Sequence, residues 1–468
     1  MMCEFEFQDT GYSKSLYAQT DTDTETLNMK ISLKMTGCKN NRYELDKIQE
    51  WAVKNGVGIA TDEEADFSVI NTCTVTHIAD RKSRQMVRKT KNLNPKLKTI
   101  VFGCAARMQK KEFEKIGEID YLLPDLKAVM EFLENMNKKS IYPSGGDIGQ
   151  CRLPIEGVAD FNHSRALVQI QDGCDNFCSY CIIAAARGKS KSRTADEIID
   201  EINTHVKNGF NEVILTGINI GAYGCGMTTK PEESKIAELL QKILDNTKIQ
   251  RIRLSSMGPE YFLSPLYPVP ATATDTFQFE LQCGDTGKGL FKILKNPRMC
   301  RHIHLSVQSG SDSVLKRMRR NYSVKQMDEI IKRLKKDIPG MAVTADVIVG
   351  FPEETNEEFK ETVDFVKRNK FAKVHVFPYS IRKNTLAAKM KQVLDEIKKT
   401  RARELQKISD KLRKDFIKNQ IGKKTNVLWK FDDTGITDNY VTVKNLKKSA
   451  PKTMSEMVLS EDNAIDLI

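Results

Sequence analysis

The chain has 468 residues, 40% hydrophobic and 29% charged, which sets aside a peptide-scale or disulfide-stapled fold and, at about 150 residues per domain, predicts roughly three domains. No run approaches the ~18 apolar residues of a membrane span, and the start MMCEFEFQDTGYSK lacks a signal or transit pattern, so a cytoplasmic protein is expected. Lys and Arg outnumber Asp and Glu by 74 to 62, and an acidic first 28 residues leaves +17 on the rest, an excess that favours a polyanionic partner, nucleic acid before anionic membrane.

Residues 1–28 are Thr/Asp-rich and poor in branched apolar residues, and read as a disordered tail. Over 29–142, the apolar runs ISLKMTG, FSVINT and KTIVFG end in turn residues and are each followed by polar, helix-capable segments. This pattern predicts an N-terminal α/β domain with a parallel sheet. A linker with Pro143, Gly145 and Gly146 follows.

Over 160–391 six further strand-like runs, RALVQIQDG, NEVILTG, IQRIRLSS, HIHLSVQSG, AVTADVIVGF and KVHVFPYS, alternate with helical patterns. They predict a partial (β/α) barrel, in which functional residues gather at the C-terminal ends of the strands. The Pro- and Thr-rich stretch at about 261–289 reads as an irregular insertion.

Residues 392–420 predict a basic helix with Val393, Ile397, Leu405, Ile408, Leu412 and Phe416 on one stripe. Between Arg382 and Lys424 there are 15 basic and 5 acidic residues. Such a face is either merely solvated or a phosphate-binding surface. From 421 to 468 the runs TNVLWKFDDTG and NYVTVKNL predict a small β-rich module, shortened because no strand alternation is legible after Ser449.

Eleven cysteines in a reducing compartment point to metal or sulfur chemistry rather than disulfides. Cys174, Cys178 and Cys181 in GCDNFCSYC form the one tight group. Three thiolates on one loop can hold three irons of a four-iron four-sulfur cluster and leave the fourth open. Structural zinc, the rival, wants four ligands, and no fourth lies near in sequence. Cys38, Cys73 and Cys104 each follow a strand-like run, so a parallel sheet can bring them to one edge, although isolated cysteines are often simply core.

The spacing of Cys174, Cys178, Tyr180 and Cys181 resembles the C-x3-C-x-aromatic-C signature of the radical S-adenosylmethionine superfamily. Together with GCKNNRYE, INTCTVTHIADRKSRQ, FGCAAR, LTGINIGAYG, HLSVQSGSDSVLKRMRRNYS, TADVIVGFPEET and VHVFPYSIRKNT, it is similar to the tRNA methylthiotransferases, and most to the branch acting on N6-threonylcarbamoyladenosine. The resemblance runs from about residue 30 to 445. It implies two 4Fe-4S clusters and S-adenosylmethionine as cofactors, with Cys174, Cys178 and Cys181 holding the cluster that cleaves S-adenosylmethionine. A second cluster falls on Cys38, Cys73 and Cys104. The implied reaction replaces the C–H at carbon 2 of the adenine by C–S–CH3.

Strand ends and turns supply the candidate cofactor contacts Tyr180, Thr216, Gly217, Asn219, Ser255, Gln308 and Gly350, the last of which is as readily a tight turn. Arg317, Arg319, Arg320, Lys398, Lys399, Arg401 and Arg403 are candidate RNA contacts, and Tyr379 a floor for the nucleoside. The expected partners are tRNA, a reductant such as flavodoxin or ferredoxin, and a sulfur donor of unassigned identity. Two departures stand out: Ala184 lies where relatives usually carry proline, and the end module, which resembles a TRAM domain, is short. The alternatives are methylthiolation of N6-isopentenyladenosine in tRNA or of a ribosomal-protein aspartate, or a non-catalytic, metal-containing RNA-binding protein.

Overall fold

A computed structural model describes residues 29–140, 163–225, 231–263 and 285–465. The expected tail and the centre of the 261–289 insertion lie outside the described residues. The described residues form two compact units, one up to residue 140 and one from residue 163. Among them no helix is long and apolar enough to cross a membrane.

The first unit is a five-stranded parallel sheet in the order β2-β1-β3-β4-β5, built from β1 (Lys30–Met35), β2 (Gly58–Ile59), β3 (Phe67–Thr72), β4 (Lys98–Gly103) and β5 (Tyr121–Leu122). Its helices are α1 (Lys39–Lys54), α2 (His77–Leu93), α3 (Cys104–Met108), α4 (Lys110–Glu114) and α5 (Leu126–Ser140). The core is apolar on both faces of β3 and β4, where Val69, Ile70, Ile100 and Val101 are fully buried. Strands covered on both sides read as continuous apolar runs, which is why FSVINT and KTIVFG were visible in the sequence.

The second unit carries eight barrel strands: β6 (Ala166–Asp172), β7 (Lys191–Ser192), β8 (Glu212–Gly217), β9 (Arg251–Leu254), β10 (Ser256–Met257), β11 (His302–Gln308), β12 (Ala342–Val349) and β13 (Lys373–Pro378). The sheet orders are β7-β6-β8-β9 and β10-β11-β12-β13, parallel throughout except for the short β7. Only Ser255 separates β9 from β10, so the six expected strands are all present. Between them come α6 (Ile183–Arg187), α7 (Ala195–Lys207), α8 (Ile236–Asn246), α9 (Asp285–Ile293), α10 (Asp312–Met318), α11 (Val324–Asp337) and α12 (Asn356–Asn369). Capping boxes at Thr194/Glu197, Ser323/Gln326 and Thr355/Glu358 start α7, α11 and α12 where the sequence changes from turn to helix.

The margins of the expected insertion are regular. Tyr261 and Phe262 are buried in a short 3-10 turn over Pro259–Phe262, and α9 begins at Asp285. Helix α13 (Asp395–Lys418) runs antiparallel to β12 and β13. Its first turns lie at Gly350, just past the end of β12, and its last at a module core holding Ile417, Val427 and Trp429. Midway, the Ser409 hydroxyl accepts from Val374 N–H and donates to Val374 C=O, both at 2.9 Å.

The end module is a four-stranded antiparallel sheet, β16-β15-β14-β17, made of β14 (Lys424–Trp429), β15 (Thr434–Thr437), β16 (Thr442–Lys444) and β17 (Met454–Val458). The expectation of no strand after Ser449 is therefore corrected. β17 is an edge strand that buries none of its side chains fully, so the sequence shows no apolar alternation there.

The module docks on the N-terminal ends of the barrel strands. The Glu212 carboxylate, at the start of β8, is fully buried and accepts from Arg253 Nε at 2.8 Å with Arg251 alongside. Arg253 reaches on to donate to the Thr437 and Asp438 carbonyls at 3.1 Å, and Arg301 forms a forked pair with Asp438 at 2.6 and 3.0 Å. Burial alone would raise the Glu212 carboxyl, but Arg251, Arg253 and Arg165 outweigh it and hold it at about 2. Arg253 thus serves the floor of the barrel rather than the strand C-termini.

Candidate active site

At the opposite, C-terminal end of the strands, the loop after β6 carries Cys174, Cys178 and Cys181. Each keeps part of its surface open. Burial, aided by Cys181 and Cys178, pushes Cys174 up to about 12, and burial with Cys178 pushes Cys181 up to about 11. Arg320 Nη1 donates to the Cys178 sulfur at 3.2 Å, while Arg320 Nε donates to the Tyr322 hydroxyl at 2.7 Å. Phe177, between the first two cysteines, is 66% exposed and held at φ 43°, a left-handed conformation that costs a bulky residue of order 1–3 kcal/mol.

The donor chemistry, thiols only on one loop beside a fixed cation, fits an iron–sulfur cluster. Among the described residues no three His, Cys, Asp or Glu side chains are gathered as for a single metal ion. A four-iron cluster takes one thiolate per iron and asks for a wider spread.

Around this loop the strand ends present a polar ring. Thr216 and Gly217 close β8 and are buried. Asn219 N–H donates to Gln171 Oε1 at 2.8 Å, and its side-chain amide donates to the Tyr261 hydroxyl at 2.8 Å. Ser255 is 2% exposed, and its hydroxyl has no hydrogen-bond partner among the described residues. Gln308 closes β11 in a left-handed conformation, φ 69°. Tyr180 packs edge-on against Phe351, which in turn meets Tyr379 edge-on with ring centroids 5.5 Å apart.

Glu260 joins this ring without any signal in the sequence, lying at the edge of the stretch read as irregular. It is buried, its Oε1 accepts from Asn176 of the cysteine loop at 3.4 Å, and its Oε2 stands 3.9 Å from Arg320 with no hydrogen-bond donor.

Several expected RNA contacts lie elsewhere. Arg320 is part of the cysteine site just described, and Arg317 is held in a bidentate pair with Glu358 at 2.8 and 2.7 Å. Arg319 is exposed at the end of α10. Lys398 is 4% and Arg401 5% exposed, so neither presents its charge to a phosphate. Arg401 Nη1 donates to Glu354 Oε1 at 2.6 Å, and Lys398 packs on Gly350. Lys399 and Arg403 are exposed.

The same contact settles Gly350. At φ 66° a Cβ there would lie 2.4 Å from Lys398 Cγ, so the glycine serves the close approach of α13. Tyr379 is 5% exposed beneath the Lys398 ammonium, a wall rather than an open floor.

In the first unit, Cys38, Cys73 and Cys104 stand just past the C-terminal ends of β1, β3 and β4, which are neighbours in the sheet. Cys38 caps α1 and Cys104 opens α3. Gly37, φ 118°, lies so close to Cys73 that a Cβ would come within 2.7 Å of Cys73 Cβ and 3.0 Å of its sulfur. The Cys73 N–H is fixed by the Thr36 hydroxyl at 3.0 Å and the Ser83 hydroxyl at 3.2 Å. The parallel sheet has thus brought three thiols, 35 and 31 residues apart, to one edge. These donors also fit a cluster.

Comparison with known proteins agrees with this layout. The model of the radical SAM superfamily matches residues 168–366, and that of the uncharacterized protein family UPF0004 matches residues 30–124. Threonylcarbamoyladenosine tRNA methylthiotransferase MtaB of Bacillus subtilis is 34% identical over 88% of this chain and 89% of its own length. That of Aquifex aeolicus is 32% identical over 89% and 96%. tRNA-2-methylthio-N(6)-dimethylallyladenosine synthase of Thermodesulfovibrio yellowstonii is 31% identical over 92% and 94%. Among solved structures, the radical S-adenosylmethionine methyltransferase TsrM of Kitasatospora setae superposes with a TM-score of 0.52 over 77% of each chain at 13% identity, a likeness of fold. The chain belongs to the radical S-adenosylmethionine tRNA methylthiotransferase family.

Proposed function

We propose that the protein is a cytoplasmic enzyme that converts N6-threonylcarbamoyladenosine beside the anticodon of tRNA to its 2-methylthio derivative. The observation that carries this reading is similarity to relatives of that activity over 88–89% of the chain, with family models whose matched ranges, 30–124 and 168–366, span the two cysteine sets. Those relatives' names favour tRNA over a ribosomal-protein aspartate and an enzyme over a non-catalytic binding protein.

Cys174, Cys178 and Cys181 would hold one 4Fe-4S cluster, and Cys38, Cys73 and Cys104 the second. When bound, the first cluster supplies the electron that cleaves S-adenosylmethionine to the radical that takes the hydrogen from adenine carbon 2, and the second serves sulfur delivery, with another S-adenosylmethionine as methyl donor. The raised thiols mean that iron binding must displace protons from Cys174 and Cys181. Arg320 is placed to pair with a carboxylate beside the cysteine loop, and Glu260, its second oxygen without a donor, to take an ammonium. These are the two charges of an amino-acid end such as that of S-adenosylmethionine. The Ser255 hydroxyl and the Thr216–Asn219 strand end add polar contacts, and Tyr180 on Phe351 excludes water from one side. The electron would come from a one-electron carrier such as flavodoxin or ferredoxin.

Nucleoside analysis of tRNA from cells lacking the gene tests this reading. N6-threonylcarbamoyladenosine should accumulate and its methylthio derivative vanish. A second reading, N6-dimethylallyladenosine as substrate, is favoured by the 31% identity to the synthase of that nucleoside. The same analysis would then show loss of the other methylthio nucleoside.

A further inference from the structure

Helix α13 has two faces of opposite character. Its packed face carries Lys398, Arg401, Leu405, Ser409 and Ile417, all buried. On the other side, Arg403, Lys407, Lys411, Lys414 and Lys418 are exposed. At ~100° per residue these five fall within about 80° of one another, with no acid inside that sector between Arg403 and Lys418. None of the five makes an ion pair or hydrogen bond among the described residues, whereas Lys398 and Arg401 are both paired. Successive members are three or four residues apart, a rise of roughly 5–6 Å, comparable to the step between neighbouring phosphates of a nucleic-acid strand.

The ridge also has a direction. Helix α13 begins beside Gly350 and Glu354, at the mouth where the strands end, through Lys398 and Arg401, and the ridge starts just below them at Arg403. Its lower end reaches a shallow cleft between the barrel floor and the end module. Arg301, Gln420, Lys423, Lys424 and Asn439 line that cleft, and Lys423 and Lys424 are exposed. A row of unpaired cations thus runs from the barrel wall below the mouth, past Ser409 at the floor end of β13, to the module docked there.

We propose that this ridge, Arg403 to Lys418 and on to Lys423 and Lys424, is the track on which the phosphate backbone of an RNA stem lies while one of its nucleosides is presented at the mouth. The inference rests on the tRNA substrate assigned above and names the surface that holds it. A solvated face needs no such sorting of cations from acids, and a row roughly 22 Å long from Arg403 to Lys418 suits an elongated polyanion better than a small one.

The test uses full-length reconstituted protein and measures tRNA affinity against salt concentration by fluorescence anisotropy. The triple change Lys407→Glu, Lys411→Glu, Lys414→Glu should weaken binding at least tenfold near 0.1 M salt and reduce the logarithmic salt slope by about two to three, from ~0.9 per lost contact. The glutamine triple should fall between it and the wild type. A control triple of equal charge change on exposed α11 lysines, Lys325→Glu, Lys332→Glu, Lys336→Glu, should leave the slope unchanged. Equal losses in both triples, or no loss in the ridge triple, would return the ridge to a solvated face. So would an effect confined to binding of phosphatidylserine vesicles. Should tRNA from the deletion strain show normal methylthiolation while the ridge triple still loses tRNA, the functional reading fails and the ridge stands.

Discussion

The two ends of the barrel handle buried charge in opposite ways. At the floor, Glu212 meets Arg251 and Arg253, Asp438 meets Arg301, and both carboxyls are held below their ordinary range. At the mouth, Glu260 Oε2 and the Ser255 hydroxyl are buried without hydrogen-bond donors or acceptors among the described residues, and two of three neighbouring thiols are pushed far above their usual range. The floor's carboxylates are paired and anchor a module, with only Arg251 Nε left without a partner among its described guanidinium–carboxylate groups. At the mouth, Glu260 Oε2 and the Ser255 hydroxyl lack the partners that the proposed S-adenosylmethionine would supply. The contrast separates charges paired within the fold from buried polar groups left to the cofactor proposed above.

The comparison predicts effects of very different size. Glu212→Gln should be the most damaging to the fold, because it leaves two buried guanidiniums without their counter-charge, a loss of about 3–5 kcal/mol. Urea unfolding should show it, with the end module released first in limited proteolysis. S-adenosylmethionine affinity of molecules still folded should not change, and if it did the two ends would not be independent.

Gly350→Ala comes next. A Cβ at φ 66° against Lys398 should cost of order 1–3 kcal/mol. Thermal unfolding would detect the loss, and the paired change Gly350→Ala with Lys398→Ala should recover part of it by removing the clash. Glu260→Gln should do the reverse of Glu212→Gln, leaving unfolding within about 0.5 kcal/mol of wild type. It should nonetheless weaken S-adenosylmethionine about tenfold in equilibrium dialysis of the unreduced holoprotein, as expected for one lost charge-assisted hydrogen bond.

Acid should find the floor as well. The folded-state pKa of Glu212, about 2, lies below its ordinary 4.5, so its stabilisation is present above pH 4.5 and is lost as pH falls toward 2. In the Glu212→Gln variant, circular dichroism should show a shallower dependence across that window.

Much of this organisation was legible in the sequence where burial repeats locally. The six barrel strands and the three of the first domain appeared as apolar runs because both sheet faces are covered. The cysteine loop was legible because its spacing is local, and the second cysteine set only through the family resemblance, since a cysteine after a strand is as readily core. What was hidden depends on partners distant in sequence. Lys398 and Arg401 read as RNA contacts until Gly350 and Glu354 are brought against them. Arg320 read as one of an RNA-binding cluster, and nothing around Glu260 announced a carboxylate beside the cysteines. β17 was missed because an edge strand shows no alternation.

The central claim, two cysteine sets with different tasks, is tested most directly by assaying both products of one reaction. Reconstituted wild-type protein should hold about eight irons, and the Cys174→Ala/Cys178→Ala/Cys181→Ala variant about half. After dithionite reduction with substrate tRNA, replacing Cys38, Cys73 or Cys104 by alanine should leave 5′-deoxyadenosine measurable by chromatography while abolishing the methylthio nucleoside. Replacing Cys174, Cys178 or Cys181 should abolish both. Methylthio nucleoside formed by folded variants of the first set would contradict the account, since those three thiols would then be structural.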